Sequence, residues 1–316
     1  MKIDTHVHFR DGTQNYKETI AHGLALAKTQ GVDFVFDMPN TSPPILRKVD
    51  VEKRIALVPE AEKKRYFLYI GATANEDQLK EAISTVNEMK EVIGIKMFAG
   101  KSTGDMQIIE EEKQKMVYQT LAENNYKGVI SVHCEKEKFM KDFFDPKSPV
   151  SHALARPKEA EIESIKDQVK FAKETNFKGT LNICHITSKE SVELILEAKK
   201  EINVTCEVTP HHAMWNYEKM REPCGALYKM NPPLRSEPDV VALQECIKEG
   251  KIDFIGTDHA PHSIGEKLFL GHPSGFPSLY LYKEFVEVFL PSIGVSEKQI
   301  NDMTFGNIVK TFGLNL

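Results

Sequence analysis

The sequence predicts an α/β protein whose parallel strands close into a (β/α)8 TIM barrel. Eight short segments rich in β-branched and aromatic residues alternate with helical segments along the 316 residues. Repeated βα units place their strands side by side in a parallel sheet, and eight of them suit a closed barrel. An open, doubly wound sheet is the alternative, but it usually carries a Gly-rich phosphate loop after its first strand. Here the first strand ends in HVHFR, which disfavours the open sheet.

The predicted elements follow one another at short intervals. Strands are predicted over residues 3–9, 32–37, 66–72, 92–98, 128–133, 180–185, 204–208 and 251–257. Helices are predicted over residues 16–29, 50–63, 75–90, 110–124, 157–175, 188–200 and 238–249, and closing helices over residues 276–285 and 297–311. Asn75 and Ser188 are good N-caps. Pro157 suits a first helical turn, and Gly31 suits the position just past a helix end.

Composition narrows the class of protein. The net charge is −5, from 41 basic and 46 acidic residues without a basic block, which argues against a nucleic-acid partner. No apolar run approaches the roughly 20 residues that span a bilayer, and no secretory signal is visible. The five cysteines show no CxxC spacing, which indicates a reduced, cytoplasmic setting. Because no linker-like tract interrupts the chain, one domain over residues 1–316 is predicted.

The end of the first strand carries unusual polar residues. His6 and His8 are two positions apart, so a strand directs both imidazoles to one face. Two imidazoles on one face are poor core material but good metal ligands. Arg10 follows with the same parity and adds a fixed cation. The alternative is a chance pair on a solvated strand face, and the pair alone does not decide between them.

Four further polar residues lie at or near the ends of other predicted strands: Lys96, His133, His185 and Asp258. Active sites of barrels lie at this rim, so the convergence predicts a metal site. Each residue also has a structural explanation, such as a hydrogen-bonded core histidine, a buried Lys96–Asp258 ion pair or a turn cap. A buried lysine is costly as a cation, and its neutral amine can react with carbon dioxide to give a carbamate that bridges two metals.

Eight segments in order along the chain then suggest a known family. They are DTHVHFRDG (residues 4–12), DMPNT (37–41), GIKMF (94–98), VHCE (132–135), CHITS (184–188), EVTPHH (207–212), KMNPPLR (229–235) and GTDHAPH (256–262). Together they resemble the dihydroorotases of the amidohydrolase superfamily, of the carboxylated-lysine binuclear zinc type. The resemblance implies a barrel without the accessory β-sandwich of longer relatives, because the HxH pair lies so near the first residue.

The resemblance also implies the cofactors and their ligands. Two Zn²⁺ ions per chain would be bridged by a carboxylated Lys96 and a hydroxide. The remaining ligands would be His6, His8 and Asp258 for one ion, and His133 and His185 for the other. Asp258 would act as general base and then as general acid, taking the proton of the hydroxide and passing it to the leaving ring nitrogen.

The implied reaction is the reversible cyclisation of N-carbamoyl-L-aspartate to (S)-dihydroorotate and water in de novo pyrimidine biosynthesis. The positions that match substrate-binding residues are Arg10, Asn40 and His262 for the carboxylate, Asn231 for the ring, and Thr103 in the loop over residues 99–105. Residues 274–278 resemble a stretch whose backbone contacts the ring, with Ser278 in place of a glycine. Other polar residues near the rim are interpreted as packing: His211, His212, Trp215, Cys134 and Cys184.

Three other functions stay open: a hydantoinase or dihydropyrimidinase, an allantoinase, and a non-catalytic dihydroorotase-like scaffold. Arg10 favours a substrate with a carboxylate, although an ion pair with Asp11 or Asp37 is its structural alternative. The presence of all six implied ligands disfavours the scaffold. The resemblance leads us to expect a small-molecule substrate and a homodimer. The sequence does not decide whether aspartate transcarbamoylase is a partner.

Overall fold

A computed structural model describes residues 1–102 and 106–316. Its eight strands form one parallel sheet in the order of the chain, so the predicted barrel is confirmed. The strands are β1 (Ile3–Val7), β2 (Phe34–Asp37), β3 (Tyr66–Gly71), β4 (Val92–Ala99), β5 (Val129–Cys134), β6 (Thr180–Ile183), β7 (Val204–Val208) and β8 (Phe254–Ile255).

The barrel closes between β1 and the segment that follows β8. Val7 forms a parallel bridge with His259, and the His8 backbone N–H donates to the His259 carbonyl at 2.7 Å. Below this bridge, the Asp4 carboxylate accepts from the Thr257 backbone N–H at 2.9 Å and from its hydroxyl at 2.6 Å. Because a side chain takes these donors, the predicted strand over residues 251–257 is shortened to two residues.

Helices pack around the strands. The α-helices are α1 (Ile20–Thr29), α2 (Lys48–Ala56), α3 (Glu76–Glu88), α4 (Glu111–Glu123), α5 (Ser151–Ala155), α6 (Lys158–Glu174), α7 (Lys189–Ala198), α8 (Pro210–Met214), α9 (Glu237–Lys248), α10 (Ile264–Leu268), α11 (Tyr282–Glu284), α12 (Leu290–Ser292), α13 (Glu297–Asn301) and α14 (Asn307–Phe312). Short 3₁₀ turns lie at Gly12–Gln14, Glu60–Arg65, Glu137–Phe139, Tyr217–Arg221, Gly225–Tyr228 and Ser278–Leu281, and π-turns at Phe285–Phe289 and Asp302–Gly306. Within the described ranges, none of these helices has the length and apolarity to cross a membrane.

Local hydrogen bonds explain where the helix boundaries differ from the prediction. The first helix begins at Ile20 rather than at residue 16, because Thr19 caps it by accepting from the His22 N–H. The second helix ends at Ala56, because Pro59 cannot continue it and starts a 3₁₀ turn instead. Asn75 and Ser188 cap α3 and α7 through their side chains, as predicted.

The lower half of the barrel interior is an aromatic floor. Phe36, Tyr69 and Phe254 are fully buried there, and Phe312 at the end of α14 packs edge-on against Phe36 with ring centroids 5.0 Å apart. Above this floor, Ser131 donates to the Tyr69 hydroxyl at 3.2 Å. The interior therefore changes from apolar to polar towards the carboxyl ends of the strands, where ionisable side chains are gathered.

Candidate active site

All six predicted metal ligands point into the upper end of the barrel and are buried there. The first group joins the end of β1 to the segment after β8. His6 Nε2 and His8 Nε2 lie 3.2 Å apart, and Asp258 Oδ1 lies 2.8 Å from His8 Nε2 and 3.3 Å from His6 Nε2. Three donor atoms from two distant parts of the chain therefore meet at one point.

The outer nitrogens of these two histidines are held by other side chains. His8 Nδ1 donates to Asn40 Oδ1 at 2.6 Å, and His6 Nδ1 is in close contact with the Glu207 carboxylate on β7. Burial raises the pKa of Glu207 to about 7, although the positive charge of Lys96 opposes the shift. A neutral ring whose Nδ1 donates to its oxygen partner presents a lone pair at Nε2. Two lone pairs beside a carboxylate repel one another unless a cation lies between them.

The second group joins β5 to the segment after β6. His133 Nδ1 and His185 Nε2 lie 3.1 Å apart, and His133 Nε2 lies 3.0 Å from the Glu135 carboxylate. The His6 and His185 ring centroids are 5.3 Å apart, so the two groups adjoin. His133 and His185 can share a proton, or they can direct two lone pairs at a cation between them.

Lys96 lies on β4 and is fully buried. Its Nζ donates to Cys184 Sγ at 2.9 Å and lies 5.0 Å from the centroid of the Phe98 ring. In the described residues no carboxylate oxygen lies within 4.0 Å of this amine, so the alternative of a Lys96–Asp258 ion pair is wrong. The interpretation of Cys184 as packing alone is also corrected, because its thiol is the hydrogen-bond partner of Lys96.

Backbone geometry explains why the alternation of side chains along a strand gave the wrong orientation for Cys184. The sixth strand ends at Ile183, and His185 has a φ of 36°, in the left-handed region. This turn directs residues 184 and 185 to the same site, whereas a continued strand would separate them. Asp258 also has a left-handed φ, of 52°. Such backbone strain in residues other than glycine is concentrated at functional sites.

The electrostatics keep these groups in the form that binds metal. Burial lowers the pKa values of His6, His133 and His185, and the positive charge of Lys96 lowers them further. Burial alone would raise the pKa of Asp258, but the neighbouring His8 and His6 bring it to about 2. Neutral imidazoles beside an ionised carboxylate form a donor set typical of zinc, so the residues present fit the implied metal.

A cavity of about 360 Å³, including space that is open to solvent, lies above the donor cluster. Its lining includes both predicted metal ligands and predicted substrate contacts, together with three further residues. The lining residues are His6, His8, Arg10, Asn40, Phe98, Ser102, His133, His185, Asn231, Asp258, Ala260, Ser274 and Gly275. Thr103, the remaining contact predicted in the loop after β4, lies outside the described residues.

His262 lies behind the cavity wall, outside this lining. Its Nε2 donates to the Ser274 carbonyl at 3.1 Å, and its Nδ1 lies 3.2 Å from the Lys17 ammonium. Burial, with the charges of Arg10 and Lys17, lowers the pKa of His262 to about 2. Both ring nitrogens are therefore engaged by the protein in this structure, although the sequence predicts His262 as a contact to the substrate carboxylate.

Arg10 is a buried cation in the cavity lining. Its Nε donates to the Pro261 carbonyl at 3.3 Å. No carboxylate oxygen of residues 1–102 or 106–316 lies within 4.0 Å of the guanidinium. The predicted alternatives are occupied elsewhere, because Asp11 accepts from the Ile20 N–H and Asp37 pairs with Arg54.

Sequence reasoning missed a set of buried charged residues behind these ligands. Glu207 and Glu135 orient His6 and His133. Arg54 on α2 donates to the Phe9 carbonyl at 2.8 Å and to Asp37 at 2.7 Å, and so fixes the chain next to Arg10. The signal available in the sequence was a charged residue inside an otherwise apolar segment, such as Glu207 in VTCEV.

The residues after β7 pack as predicted. His212 contacts the Thr209 hydroxyl at 2.8 Å and the Pro232 carbonyl at 2.9 Å. Trp215 packs edge-on against Phe276, with ring centroids 5.3 Å apart. His211 is fully buried, and neither of its ring nitrogens has a hydrogen-bond partner in the described part of the chain.

Comparison with known proteins places the chain in a family. The model of the amidohydrolase family matches residues 2–272. This chain belongs to the amidohydrolase family. The dihydroorotase of Macrococcus caseolyticus is 35% identical to this amidohydrolase over 294 residues, which cover 88% of the chain and 66% of that relative. The dihydroorotase of Methanosarcina mazei is 31% identical over 339 residues, which cover 99% of this chain and 70% of that relative.

The chain thus spans about two thirds of the length of these relatives, and its resemblance to dihydroorotases is confirmed. Among solved structures, an L-hydantoinase from Arthrobacter aurescens superposes with a TM-score of 0.83 at 21% identity, covering 99% of this chain and 70% of that one. The Saccharomyces cerevisiae dihydroorotase in complex with 5-fluoroorotic acid superposes with a TM-score of 0.79 at 17% identity. The match covers 100% of this chain and 84% of that one. These two structures show that the fold is shared.

The Glu207→Gln variant tests the histidine orientation. Replacing the carboxylate weakens the hold on His6 Nδ1, so we expect zinc affinity to fall about 10- to 100-fold. Competition with a chromophoric chelator measures this change. Glu201→Gln, at an exposed position in an ion pair with Lys173, is the control and should leave affinity unchanged. Equal affinities for wild type and Glu207→Gln would contradict the assigned role.

The His211→Phe variant tests the pH dependence of stability. Burial lowers the pKa of His211 from 6.5 to about 3. Below pH 6.5, His211 therefore binds a proton in the unfolded chain but not in the folded chain. The folded state loses stability as the pH falls. Between about pH 7.5 and about pH 5.5, the free energy of unfolding should fall by about 1 kcal/mol less in the variant than in wild type. Urea unfolding measures this difference. His22→Phe, at an exposed histidine of α1, is the control. A wild-type pH dependence in His211→Phe would count against this account.

Proposed function

We propose that this amidohydrolase is a dihydroorotase, which interconverts N-carbamoyl-L-aspartate and (S)-dihydroorotate plus water in pyrimidine synthesis. Arg10 carries the proposal, because its buried guanidinium lines the cavity and no carboxylate lies within 4.0 Å of it in the described ranges. A substrate carboxylate would supply the missing countercharge through two parallel hydrogen bonds. Hydantoinases and dihydropyrimidinases act on rings without that group. The curated dihydroorotases at 30–35% identity support the same substrate.

The proposed cofactor is a pair of zinc ions. His6, His8 and Asp258 would hold one ion, and His133 and His185 the other, with Lys96 contributing after carboxylation. When bound, zinc lowers the pKa of water towards 7 and polarises a substrate carbonyl. What supports a role for Lys96 is its environment: its amine faces a thiol, and its charge acts on four of these ligands.

Asp258 is the proposed acid–base group. Its carboxylate lines the cavity, and the low pKa keeps it ionised and able to accept a proton at Oδ1 or Oδ2. In the hydrolytic direction it takes the proton of the attacking water and returns it to the leaving ring nitrogen. In cyclisation the same carboxylate works in the reverse order, as microscopic reversibility requires.

The remaining cavity residues orient the substrate. Arg10 and Asn40 lie on the same lining and would hold the carboxylate, while Asn231 would contact the ring. His262 would bind the substrate carboxylate only after its hydrogen bond to the Ser274 carbonyl is broken. The contact predicted for Thr103 stays a prediction. We also propose that residues 1–316 form one catalytic domain and that the enzyme acts in the cytoplasm, in keeping with its free cysteines.

Zinc content tests the proposed cofactor. We expect about two zinc ions per chain by elemental analysis of the purified protein. Chelation should abolish turnover, and zinc with bicarbonate should restore it better than zinc alone, because bicarbonate supplies the carbon dioxide for Lys96. One zinc per chain, or recovery independent of bicarbonate, would contradict the carboxylated two-metal site. A metal-free wild-type protein would favour the non-catalytic scaffold.

The Arg10→Met variant tests the substrate. Loss of the charge-assisted hydrogen bonds should lower kcat/KM for dihydroorotate about 100-fold, with zinc content unchanged. Any turnover of dihydrouracil, which has no carboxylate, should be unaffected. Arg47→Met, on the protein surface, is the control. Preferred turnover of hydantoin, dihydrouracil or allantoin by the wild type would overturn the proposal.

A further inference from the structure

Residues 272–275 form a segment, here called the wall segment, of which Ser274 and Gly275 line the cavity. Side chains donate hydrogen bonds to all four of its carbonyl oxygens. The His272 carbonyl accepts from Lys229 Nζ at 2.6 Å, and the Ser274 carbonyl accepts from His262 Nε2 at 3.1 Å. The other two carbonyls, of residues 273 and 275, both accept from Lys267 Nζ, at 3.1 and 2.8 Å. The position of the wall segment therefore depends on hydrogen bonds from three side chains.

The Lys267 ammonium also binds a carbonyl oxygen in a second segment of the chain. Its third hydrogen bond, at 2.7 Å, goes to the carbonyl of Lys229, two residues before Asn231 in the cavity lining. The same carbonyl accepts from the Gly275 backbone N–H at 2.9 Å. Three acceptors satisfy the three N–H bonds of an ammonium group, whereas a neutral amine has only two.

The cost of this arrangement indicates that Lys267 is more than a surface residue. The side chain lies on α10 and is 4% exposed. Within the described residues no carboxylate oxygen comes within 4.0 Å of its ammonium. A buried cation without a countercharge is costly. Main-chain carbonyls offset only part of that cost, because burial still lowers the pKa of Lys267 to about 7. The hydrogen bonds to the wall segment are therefore the interactions that keep the group in place.

The wall segment has little room for displacement. Gly275 has a φ of 143°, which side chains rarely allow. A Cβ atom at this position would lie 2.6 Å from the Ala260 carbonyl oxygen and 2.8 Å from His262 Cδ2. The backbone of the wall segment is thus pressed against the loop after β8, which also carries Asp258.

We infer that Lys267 is a positioning residue, which fixes the wall segment relative to Asn231 and so sets the shape of the cavity that receives the substrate ring. It acts through the main chain and lies outside the cavity lining. The identity of the substrate in this inference rests on the proposed function. The role of the ammonium group in holding the wall segment does not.

The Lys267→Met variant tests this role, because methionine keeps much of the side-chain length but donates no hydrogen bond. We expect KM for dihydroorotate to rise about tenfold or more while kcat changes less than about threefold, since binding geometry is lost and the metal ligands are untouched. Zinc content should stay at the wild-type level. Hydrogen–deuterium exchange should quicken in the peptide that covers residues 270–279. Lys283→Met, at an exposed lysine on α11, is the matched control.

A folded Lys267→Met protein with wild-type KM and wild-type exchange would overturn the inference, as would a loss of kcat caused by zinc loss. If Lys267→Met does not fold, Lys267→Gln is measured instead, because its amide nitrogen is one bond nearer the main chain than Nζ and offers only two N–H donors. Faster exchange in the same peptide would then support the inference, and unchanged exchange would refute it. Absence of dihydroorotate turnover in the wild type would refute the proposed function alone, since exchange still decides the role of Lys267.

Discussion

Glu207 on β7 and Asn40 after β2 each engage the outer nitrogen of a histidine from β1, and the chemistry of the site depends on these two contacts. They direct the lone pairs of His6 and His8 inward, towards the Asp258 carboxylate. Without them each ring could rotate or change its tautomer, and a buried imidazole would then present a proton to the cation site. The barrel supplies the contacts because its closure brings β1 between β2 and the end of β8.

The cluster of ionisable groups is possible because the barrel below it is apolar and closed. Phe36, Tyr69 and Phe254 fill the lower interior, and Phe312 closes it from outside. Water is excluded from beneath the ligands, so burial keeps the imidazoles neutral. The same exclusion makes every unpaired charge costly, which is why a buried Arg10 in the cavity lining indicates an anionic substrate.

Buried cations also hold the loops of the rim. Arg54 donates to the carbonyl of Phe9, Arg156 to that of Lys101 at 2.7 Å, and Lys267 to three carbonyls around the cavity wall. Each cation replaces the ladder hydrogen bonds that a loop lacks. A loop tethered in this way keeps the position that substrate binding needs, although it belongs to no strand or helix.

The sequence by itself determined the alternation of strands and helices, the shared parity of His6, His8 and Arg10, and the arrival of six donors at strand ends. These follow from local periodicity, which the residues of one segment carry alone. The tertiary structure decided the partner of each donor. The contact between His6 and Glu207 joins residues 201 positions apart, and the orientation of Cys184 depends on a left-handed turn at His185. The place of His262 behind the wall and the three bonds of Lys267 arise only when the loops pack against one another, because no periodic pattern governs residues beyond a strand end.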